Sequence, residues 1–310
     1  MVNKIKIYKD FKIDKSHKNS IILIGNFDGL HSGHQKLFKE AQKYKKKFKV
    51  KIGVVTFDPI PKMFFNNKIT NYRISNFDQK VDYLNKFEVD FLINKNFNLQ
   101  FSKITSHRFI IEILSKKLKA KYIFVSNNFR FGYKREGNVK LLEYYQSVCN
   151  YKLIKPKPLK KNNKIVSSTF IRKLLEKGYL DKANKLLARK WTIEGKVARG
   201  RMMGKKIGFP TCNIDIGNYI ISKPGVYAVK ATINKTKKIY RGIANLGFRP
   251  TFNQKKILLE VNLFNFSGNI YNKKLSVEFL KFIREEKKFK GMDELKNQIK
   301  KDLLKVKRIK

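Results

Sequence analysis

The segment from Ile21 to Gln35 restricts the possible folds more than any other part of this chain. Four consecutive apolar residues, 21–24, predict a short buried strand. Glycines then mark a turn in which the backbone can approach a ligand closely: Gly25, Gly29 and Gly33. Beyond the turn, apolar residues recur at helical spacing: Leu37, Phe38, Ala41 and Tyr44. The chain therefore passes here from a strand, through a glycine turn, into the N-terminus of a helix.

Two histidines, His31 and His34, lie at this strand-to-helix junction. Backbone N–H groups and the helix dipole favour a phosphate group at such a position. Imidazole donors near the first helical turn are suited to the same anion, so the pattern predicts a nucleotide-phosphate site. Two other interpretations stay open, namely half of a zinc site and surface histidines without function. The zinc interpretation is weak because zinc needs four ligands and the remaining candidates lack ligand spacing: His17, His107, Cys149 and Cys212.

The rest of the first half alternates between strand and helix patterns. Strands are predicted at 51–57, 90–94 and 122–125, and helices at 76–86 and 106–118. Two prolines, Pro59 and Pro61, predict irregular structure after the second strand. Such alternation predicts an α/β fold with a doubly wound parallel sheet. Ligands of these sheets bind beyond the carboxyl ends of the strands, which is where the histidine pair falls.

A polar, proline-containing stretch at 156–164 is predicted to be a loop that leads into another helix. Ser168 or Thr169 can cap this helix, and Arg172 follows in its first turns. A hydroxyl cap together with an arginine at a helix start is a second device for binding phosphate. An ordinary helix cap is the alternative, and it is the simpler interpretation of this segment alone.

The second half of the chain lacks the strand–helix alternation. Short strand-like runs separated by turn signals are predicted at 193–199, 211–216, 226–234, 239–246, 257–266 and 275–283. Regularly spaced short strands predict an antiparallel barrel. Apolar residues at helical spacing within 293–306 predict an amphipathic helix that closes the barrel. We therefore place a domain boundary between residues 186 and 187.

A glycine-rich loop, 200–213, lies near the start of this second half. Its glycines and proline allow the chain to wrap a phosphate, and Thr211 and Asn213 offer oxygen ligands of the kind that Mg²⁺ prefers. Alone, this is a glycine-rich turn of weak specificity. Glu260 lies on a predicted strand between Leu259 and Val261. An isolated glutamate on a strand is usually solvated, an interpretation that its apolar neighbours weaken.

The composition bears on possible partners. Lys and Arg number 71 against 23 Asp and Glu, a formal net charge of +48, which is typical of nucleic-acid binding. However, only 12 of these 71 residues are Arg, and the lysines are spread along the whole chain. We therefore expect nonspecific polyanion binding and no specific nucleic-acid partner.

Since no apolar run approaches the roughly 18 residues of a membrane span and the cysteines form no disulfide framework, we expect a cytoplasmic protein without a membrane partner.

Several segments resemble, in the same order, motifs of the bacterial bifunctional riboflavin kinase/FAD synthetase family. Residues 25–34 read GNFDGLHSGH, like the nucleotidyltransferase signature of that family, and residues 166–172 read VSSTFIR. Residues 200–213 read GRMMGKKIGFPTCN, which is similar to the riboflavin kinase signature. Six positions depart from the family pattern: Ile60 replaces a histidine, Ser126 a glycine, Ala188 a glycine, Lys190 a proline, Lys205 an arginine and Cys212 an alanine.

The resemblance implies two reactions, each with its own residues. A domain at 1–186 would join FMN and ATP into FAD, and a domain at 187–310 would phosphorylate riboflavin. Contacts with ATP and its phosphates are implied at Gly25, Phe27, Asp28, Gly29, His31, Gly33, His34, Ser168, Thr169 and Arg172 for the first reaction, and at Gly204, Lys205, Gly208, Pro210 and Thr211 for the second. Flavin contacts are implied at Asn128, Phe129, Phe131 and Arg249, Mg²⁺ contacts at Thr211 and Asn213, and catalysis at Glu260, His31, His34 and Arg172. Glu260 would accept the proton of the riboflavin 5′-hydroxyl.

Two rival functions remain at this point. A nucleotidyltransferase with another acceptor, such as a pantetheine phosphate, would share the first motif but not the glycine-rich loop of the second half. A basic RNA-associated protein without catalysis would share only the charge. The expected partners are riboflavin, FMN and ATP, with no obligate protein partner implied.

Overall fold

The computed structural model describes residues 4–199, 204, 208–250 and 255–309, with the backbone alone at 249–250 and 255–256. The chain divides into two compact units. The first comprises residues 1–70 and 77–167, and the second comprises residues 71–76 and 168–310. Among the described residues, no helix combines the length and the apolar character needed to cross a membrane.

The first unit is built on a parallel sheet, which confirms the doubly wound α/β prediction. Its strands are β1 (Lys6–Tyr8), β2 (Ile21–Ile24), β3 (Ile52–Asp58), β4 (Phe91–Asn96), β5 (Tyr122–Phe124) and β6 (Lys152–Ile154). They lie in the order β1-β4-β3-β2-β5-β6, and every neighbouring pair is parallel. All four residues of β2 are buried, as expected of a central strand that is covered on both faces.

Helices connect these strands and cover the sheet. They are α1 (Ser32–Phe48), α2 (Pro61–Phe65), α3 (Phe77–Asn85), α4 (Leu99–Ser102), α5 (Ser106–Arg108) and α6 (Val139–Val148). The short α5 continues directly into π-helical turns, Phe109–Lys117, so the helix predicted over 106–118 is present with a wider winding. Its predicted apolar face is buried: Phe109, Ile110, Ile113 and Leu114.

Two segments are more regular than predicted. β3 extends to Asp58 and α2 begins at Pro61, because the fixed φ of proline suits the first position of a helix, where its missing N–H is not needed. The stretch predicted as a loop, 156–164, contains a small hairpin, β7 (Lys160–Lys161) and β8 (Lys164–Ile165). Asn162 and Asn163 turn this hairpin with φ of 48° and 57°, a left-handed conformation that asparagine tolerates.

The second unit contains a closed antiparallel barrel, as the short strand-like runs predicted. Its strands are β9 (Thr192–Ala198), β10 (Cys212–Asp215), β11 (Gly225–Ile233), β12 (Ile239–Pro250), β13 (Lys255–Leu263) and β14 (Lys274–Arg284). They follow one another around the barrel as β10-β13-β12-β11-β14-β9. Helices α7 (Ser168–Glu176) and α8 (Leu180–Leu187) precede the barrel, and the predicted closing helix α9 (Met292–Lys307) follows it. Trp191, Tyr227 and Phe279 are at most 1% exposed, so large side chains fill the core of the unit.

A short segment from the middle of the first half, residues 71–76, belongs to the second unit. The backbone N–H groups of Tyr72 and Arg73 donate to the carbonyl oxygen of Asn218 at 2.9 and 2.8 Å. The indole N–H of Trp191 donates to the carbonyl oxygen of Ile74 at 3.0 Å. Backbone hydrogen bonds between distant segments leave no side-chain pattern, and for this reason the sequence does not predict the placement.

Candidate active sites

The first candidate site lies at the carboxyl edge of the parallel sheet. β2 has β3 on one side and β5 on the other, so the strand order reverses between β2 and β5. In open α/β sheets, ligands bind in the crevice beyond such a reversal. The segments that leave β2 and β5 carry the residues predicted from the first motifs, and the sheet brings these two segments to one edge.

The loop after β2 has a strained backbone. Phe27 and Leu30 have φ of 45° and 31°, in the left-handed region that side chains disfavour, and Gly29 has φ of 76°. Each such non-glycine residue costs on the order of 1–3 kcal/mol. The Phe27 and Leu30 side chains are 3% and 1% exposed, so burial of their apolar surface holds the loop in this conformation. Backbone strain of this kind concentrates at ligand sites.

The predicted histidine pair forms one unit at the start of α1. His31 is the N-cap of this helix, and its Nδ1 accepts a hydrogen bond from the backbone N–H of His34 at 3.3 Å. Because Nδ1 is the acceptor, a neutral His31 ring carries its proton on Nε2. The two rings stack with their centroids 3.7 Å apart, and Phe27 lies edge-on to His34 at 5.2 Å. Two imidazoles are thus held together at the positive end of a helix.

Glycine at position 33 permits this packing. A Cβ there would lie 3.1 Å from both the His31 ring and the carbonyl oxygen of Val166, which is closer than ordinary van der Waals contact. Asp28, in the same loop, is only 3% exposed. The residues of this unit that the resemblance implies for ATP therefore lie around the start of α1: Gly25, Phe27, Asp28, Gly29, His31, Gly33 and His34.

The segment after β5 carries the implied flavin contacts of the first site. The hydroxyl of Ser126 donates to Oδ1 of Asn128 at 3.0 Å, so the serine that departs from the family pattern orients the amide. The rings of Phe129 and Phe131 lie nearly parallel, 5.4 Å apart. Phe131 is 8% exposed and packs against Phe109 in the core, whereas Phe129 is half-buried and Asn128 is exposed.

Ser168, Thr169 and Arg172, which were also predicted for the first reaction, belong to the second unit. Helix α7 begins at Ser168, so Ser168 and Thr169 both lie at its start. Arg172 is 6% exposed, and its Nε donates to the carbonyl oxygen of Tyr72 at 2.7 Å. The guanidinium also lies over the Tyr72 ring, 3.6 Å from its centroid, so two contacts fix its plane.

The second candidate site is a cavity of about 310 Å³ in the second unit, between the barrel and α9. Along β13, Leu259 and Val261 are 0% and 1% exposed and face the barrel interior. Side chains alternate along a strand, so Glu260 projects from the opposite, outer face and lines the cavity. The isolated glutamate is therefore half-buried in a pocket and does not lie on an open surface.

Neighbouring strands add two amides beside Glu260. Asn213 on β10 and Asn245 on β12 are both in register with Glu260 and line the same cavity. Directly opposite residues of antiparallel strands have their Cβ atoms about 5 Å apart on one face. Asn213 and Glu260 were predicted from the sequence as site residues, whereas Asn245 was not, although residues 242–251 match a segment of the family.

Asn213 has the properties of a ligand to a cation or a hydroxyl group. It is 5% exposed, and within the described part of the chain its Oδ1 is buried without a hydrogen-bond partner. A buried acceptor of this kind is costly unless a ligand satisfies it. Thr211 lines the same cavity, and a hydroxyl plus an amide oxygen are hard ligands that fit Mg²⁺. Burial raises the pKa of the intervening Cys212 thiol to about 11, so this side chain remains a neutral thiol at pH 7.

The glycine-rich loop is described only in part. Gly204 lies so close to the backbone of Phe209 that a Cβ at this position would collide with the Phe209 carbonyl oxygen. The same Cβ would lie 3.2 Å from the Thr211 hydroxyl. Gly208 has φ of 86°, a conformation that glycine adopts without strain. Pro210 accepts a hydrogen bond from the Asn262 amide at 2.6 Å. Lys205 and the side chain of Arg249 lie outside the described residues.

The C-terminal helix provides the other wall of the cavity. Leu295, Ile299 and Leu303, predicted as the apolar face that closes the barrel, line the cavity. A buried ion pair attaches the helix to the barrel, because the Arg284 guanidinium contacts the carboxylate of Asp302 at 2.8 Å, and Asp302 is 1% exposed. This ion pair was not predicted from the sequence, because its partners come from two different elements.

Comparisons with known proteins match both halves of the chain. A family model described as FAD synthetase matches residues 13–170, and a model described as riboflavin kinase matches residues 187–310. A bifunctional riboflavin kinase/FMN adenylyltransferase of Buchnera aphidicola subsp. Schizaphis graminum is 40% identical over 94% of each chain. Proteins of the same description from Haemophilus influenzae and Escherichia coli K12 are 36% and 33% identical, over 91% and 92% of this chain and 91% and 90% of their own.

A solved structure supports the fold over the same extent. A crystal structure described as a macrolide-efflux protein from Streptococcus pneumoniae matches with a TM-score of 0.86 and 29% identity, covering 99% of both chains. The sheet and the barrel therefore both have counterparts in a protein whose structure was determined by experiment.

Proposed function

The chain belongs to the bifunctional riboflavin kinase/FMN adenylyltransferase family, and we propose which of its residues phosphorylate riboflavin to FMN and which then adenylylate FMN to FAD. One observation carries the assignment. Two chemically different sites occur in one chain: the stacked His31–His34 pair at a helix N-terminus, and Glu260 opposite Asn213 in a barrel cavity. The first is suited to phosphate charge and the second to a proton transfer beside a cation.

In adenylyl transfer, an oxygen of the FMN phosphate attacks the α-phosphorus of ATP, and the bond to the β-phosphate breaks to release pyrophosphate. Such a reaction needs alignment and neutralisation of charge more than covalent participation by the protein. We assign this neutralisation to His31 and His34 with the N-terminus of α1, aided by Ser168, Thr169 and Arg172. Nε2 of His31 is suited to donate to a phosphate oxygen, because Nδ1 already accepts the His34 amide. Asn128 and Phe129 would contact the flavin.

In the kinase reaction, the riboflavin 5′-hydroxyl loses its proton to the Glu260 carboxylate while its oxygen attacks the γ-phosphorus of ATP, and ADP leaves. A base must lie within hydrogen-bond reach of the hydroxyl, and a cavity position on β13 allows this. Thr211 and Asn213 would hold Mg²⁺, which supplies neutralisation of phosphate charge when bound. Gly204 and Gly208 would let the loop backbone approach the phosphates, and Leu295, Ile299 and Leu303 would contact the flavin ring.

We assign residues 1–186 to adenylyl transfer and 187–310 to the kinase. The limits of the two matching family models, 13–170 and 187–310, support this division. The compact units divide the chain differently, since α7 and α8 belong to the unit with the barrel.

Both reactions consume ATP, which supports the cytoplasmic location predicted from the sequence. We expect no specific nucleic-acid partner.

The test is an assay of the purified chain with riboflavin, ATP and Mg²⁺, with the flavin products separated and identified. We expect FMN to appear first and FAD to follow, and FMN supplied directly to become FAD. Removal of Mg²⁺ with a chelator should stop both steps. Formation of FMN without FAD from either flavin would contradict the adenylyltransferase assignment. Adenylylation of a pantetheine phosphate in place of FMN would favour the rival acceptor.

A further inference from the structure

Lys80, on α3, is a buried lysine that none of the sequence motifs includes. Its side chain is 2% exposed, and its Nζ donates to Oγ1 of Thr56, which is fully buried on β3, at 3.1 Å. Lysine is among the residues that are least often buried, since removing an ammonium group from water is costly. An apolar side chain of similar length would fill the same space without this cost. Packing alone therefore does not account for a lysine at this position.

The hydrogen bond from Lys80 continues into the loop after β2. The hydroxyl of Thr56 donates to the backbone carbonyl oxygen of Asn26 at 3.3 Å. Asn26 immediately precedes Phe27, the first residue of the loop with a strained φ, 45°. Hydrogen bonds in series polarise one another in a low-dielectric interior, so the ammonium strengthens the contact between hydroxyl and carbonyl. Lys80, Thr56 and Asn26 form a relay that connects α3 and β3 to this loop.

We propose that Lys80 is a positioning residue for adenylyl transfer. Through Thr56 it fixes the carbonyl of Asn26, and with it the strained backbone that presents His31 and His34 to the nucleotide phosphates. The inference rests on the proposed function of this loop, and it adds a residue that does not itself touch the substrate.

Two substitutions at Thr56 separate the relay from simple packing. Thr56→Val keeps the size of the side chain and removes the hydroxyl, whereas Thr56→Ser keeps the hydroxyl and removes a methyl group. If Thr56 only filled space, serine would be the more harmful change, because it leaves a cavity. The relay predicts the opposite order. We expect Thr56→Val to lower kcat for FAD formation from FMN by about tenfold or more, since a 1 Å displacement of reacting groups costs up to about 100-fold. Thr56→Ser should stay within about twofold of the wild type.

Substitutions of lysine give a second test. Lys80→Met removes the ammonium and keeps an apolar stem, and Lys86→Met, at an exposed position just beyond α3, is the matched control. We expect Lys80→Met to lower kcat as Thr56→Val does, with the KM for FMN little changed, and Lys86→Met to have no effect. Circular dichroism and thermal unfolding establish whether each variant folds. Riboflavin phosphorylation by the same samples reports on the second unit and should be unchanged.

The outcomes separate this inference from the function on which it rests. A folded Thr56→Val chain that forms FAD at the wild-type rate overturns the relay, and so does a larger loss in Thr56→Ser than in Thr56→Val. If Lys80→Met does not fold, the comparison of Thr56→Val with Thr56→Ser still tests the relay. If the wild type does not convert FMN to FAD, or if replacement of both His31 and His34 leaves this conversion intact, the proposed function of the loop is wrong and the inference falls with it.

Discussion

At the scale of single residues, His31 and Glu260 illustrate how local structure gives a side chain its chemical role. His31 caps α1 through Nδ1, so the helix start fixes both the ring plane and the tautomer that the first site needs. Glu260 faces a cavity only because Leu259 and Val261 face the barrel core on either side of it. The two residues lie in different compact units, so their functions are expected to be separable by mutation.

Substitutions at these residues should divide the two activities. Glu260→Gln keeps the size of the side chain and removes the base, a change that typically costs about 10²–10⁴-fold in rate. We expect it to stop FMN formation from riboflavin and to leave adenylylation of supplied FMN intact. His31→Asn combined with His34→Ala keeps a residue that caps helices well but removes both rings. This variant should accumulate FMN from riboflavin without FAD.

Product identification for each variant with each starting flavin provides the measurement. Asn262→Ala, which alters another residue lining the kinase cavity, controls for general disturbance of the barrel and should retain more kinase activity than Glu260→Gln. Loss of both activities in a folded Glu260→Gln chain, or normal FAD formation by the histidine variant, would show that the roles are wrongly assigned.

His17 should give the first unit a pH-dependent stability. Burial, with repulsion from Lys51, lowers the pKa of His17 from its ordinary value of 6.5, and its Nδ1 is hydrogen-bonded to the Tyr8 hydroxyl at 2.7 Å. Between the folded pKa and 6.5, the unfolded chain therefore binds more protons than the folded chain. Stability is fully present above pH 6.5 and falls as the pH is lowered through this window.

Denaturant unfolding at several pH values between 5 and 8 measures this effect, and we expect the free energy of unfolding of His17→Gln to vary less over the range. The carboxyl pKa of Asp14 is lowered from 3.8 by its hydrogen bond with Lys6, so its contribution is lost only in more acidic solution. An identical pH dependence of wild type and His17→Gln would rule out this role for the imidazole.

At the scale of elements, hydrophobic periodicity predicted those helices and strands that bury a clear face. The buried stretch 21–24 is found at its predicted limits and the barrel strands lie within four residues of theirs, because apolar alternation and turn residues mark them well. β1 and β6 were not predicted, since each is three residues long, begins with a lysine and has no buried residue, whereas the equally short β5 is apolar and buried throughout. The π-helical winding of 109–117 was also missed, because its buried residues fit an α-helical pattern equally well.

The apolar periodicity also predicted α9 as a helix that closes the barrel. It did not predict that this helix lines the kinase cavity. Leu303 lines the cavity, whereas the adjacent Leu304 is 59% exposed. Leu303→Ala removes apolar surface that we expect to contact the flavin. We expect it to weaken the binding free energy of riboflavin by about 1.4 kcal/mol, which corresponds to about a tenfold rise in the KM. Leu304→Ala removes the same atoms from an exposed position on the same helix and should change the KM by less than about twofold.

Steady-state kinetics of riboflavin phosphorylation compares the two leucine variants directly. Adenylylation of supplied FMN should be unaffected in both, because the first site contains no residue of α9. Equal effects of Leu303→Ala and Leu304→Ala on the KM would mean that α9 supports the barrel without contacting the substrate.

At the scale of the whole molecule, the sequence predicted two domains and their chemistry but not which segments pack together. The strand–helix alternation ends near residue 186, which suggested the boundary there, and the motifs of the two reactions do not interleave along the chain. The barrel unit nevertheless includes α7, α8 and residues 71–76. These contacts depend on single polar side chains, such as Asn184, whose Oδ1 accepts the Trp191 amide at 2.7 Å, and such contacts have no periodic signature.

The packing of α8 leads to a prediction about where the chain can be divided. Asn184 is 6% exposed, and its Nδ2 also donates to the carbonyl oxygen of Phe279 at 3.3 Å. A fragment that begins at residue 187 loses this side chain together with the buried Leu180 and Leu186, and it leaves the two backbone groups without their partner. Lost burial and unsatisfied backbone groups together cost roughly 3 kcal/mol or more.

We therefore expect fragment 168–310 to unfold cooperatively at a Tm about 10 °C above that of fragment 187–310, since roughly 4 °C corresponds to each kcal/mol at this size. Thermal unfolding followed by circular dichroism measures the difference. Both fragments lack residues 71–76, so the loss of the Ile74 contact with Trp191 does not affect the comparison. Fragment 168–310 contains Thr211, Asn213 and Glu260 and should phosphorylate riboflavin as the full chain does. Equal Tm values would show that α8 is dispensable for the barrel, and a folded but inactive fragment 168–310 would show that the kinase site needs residues outside this fragment.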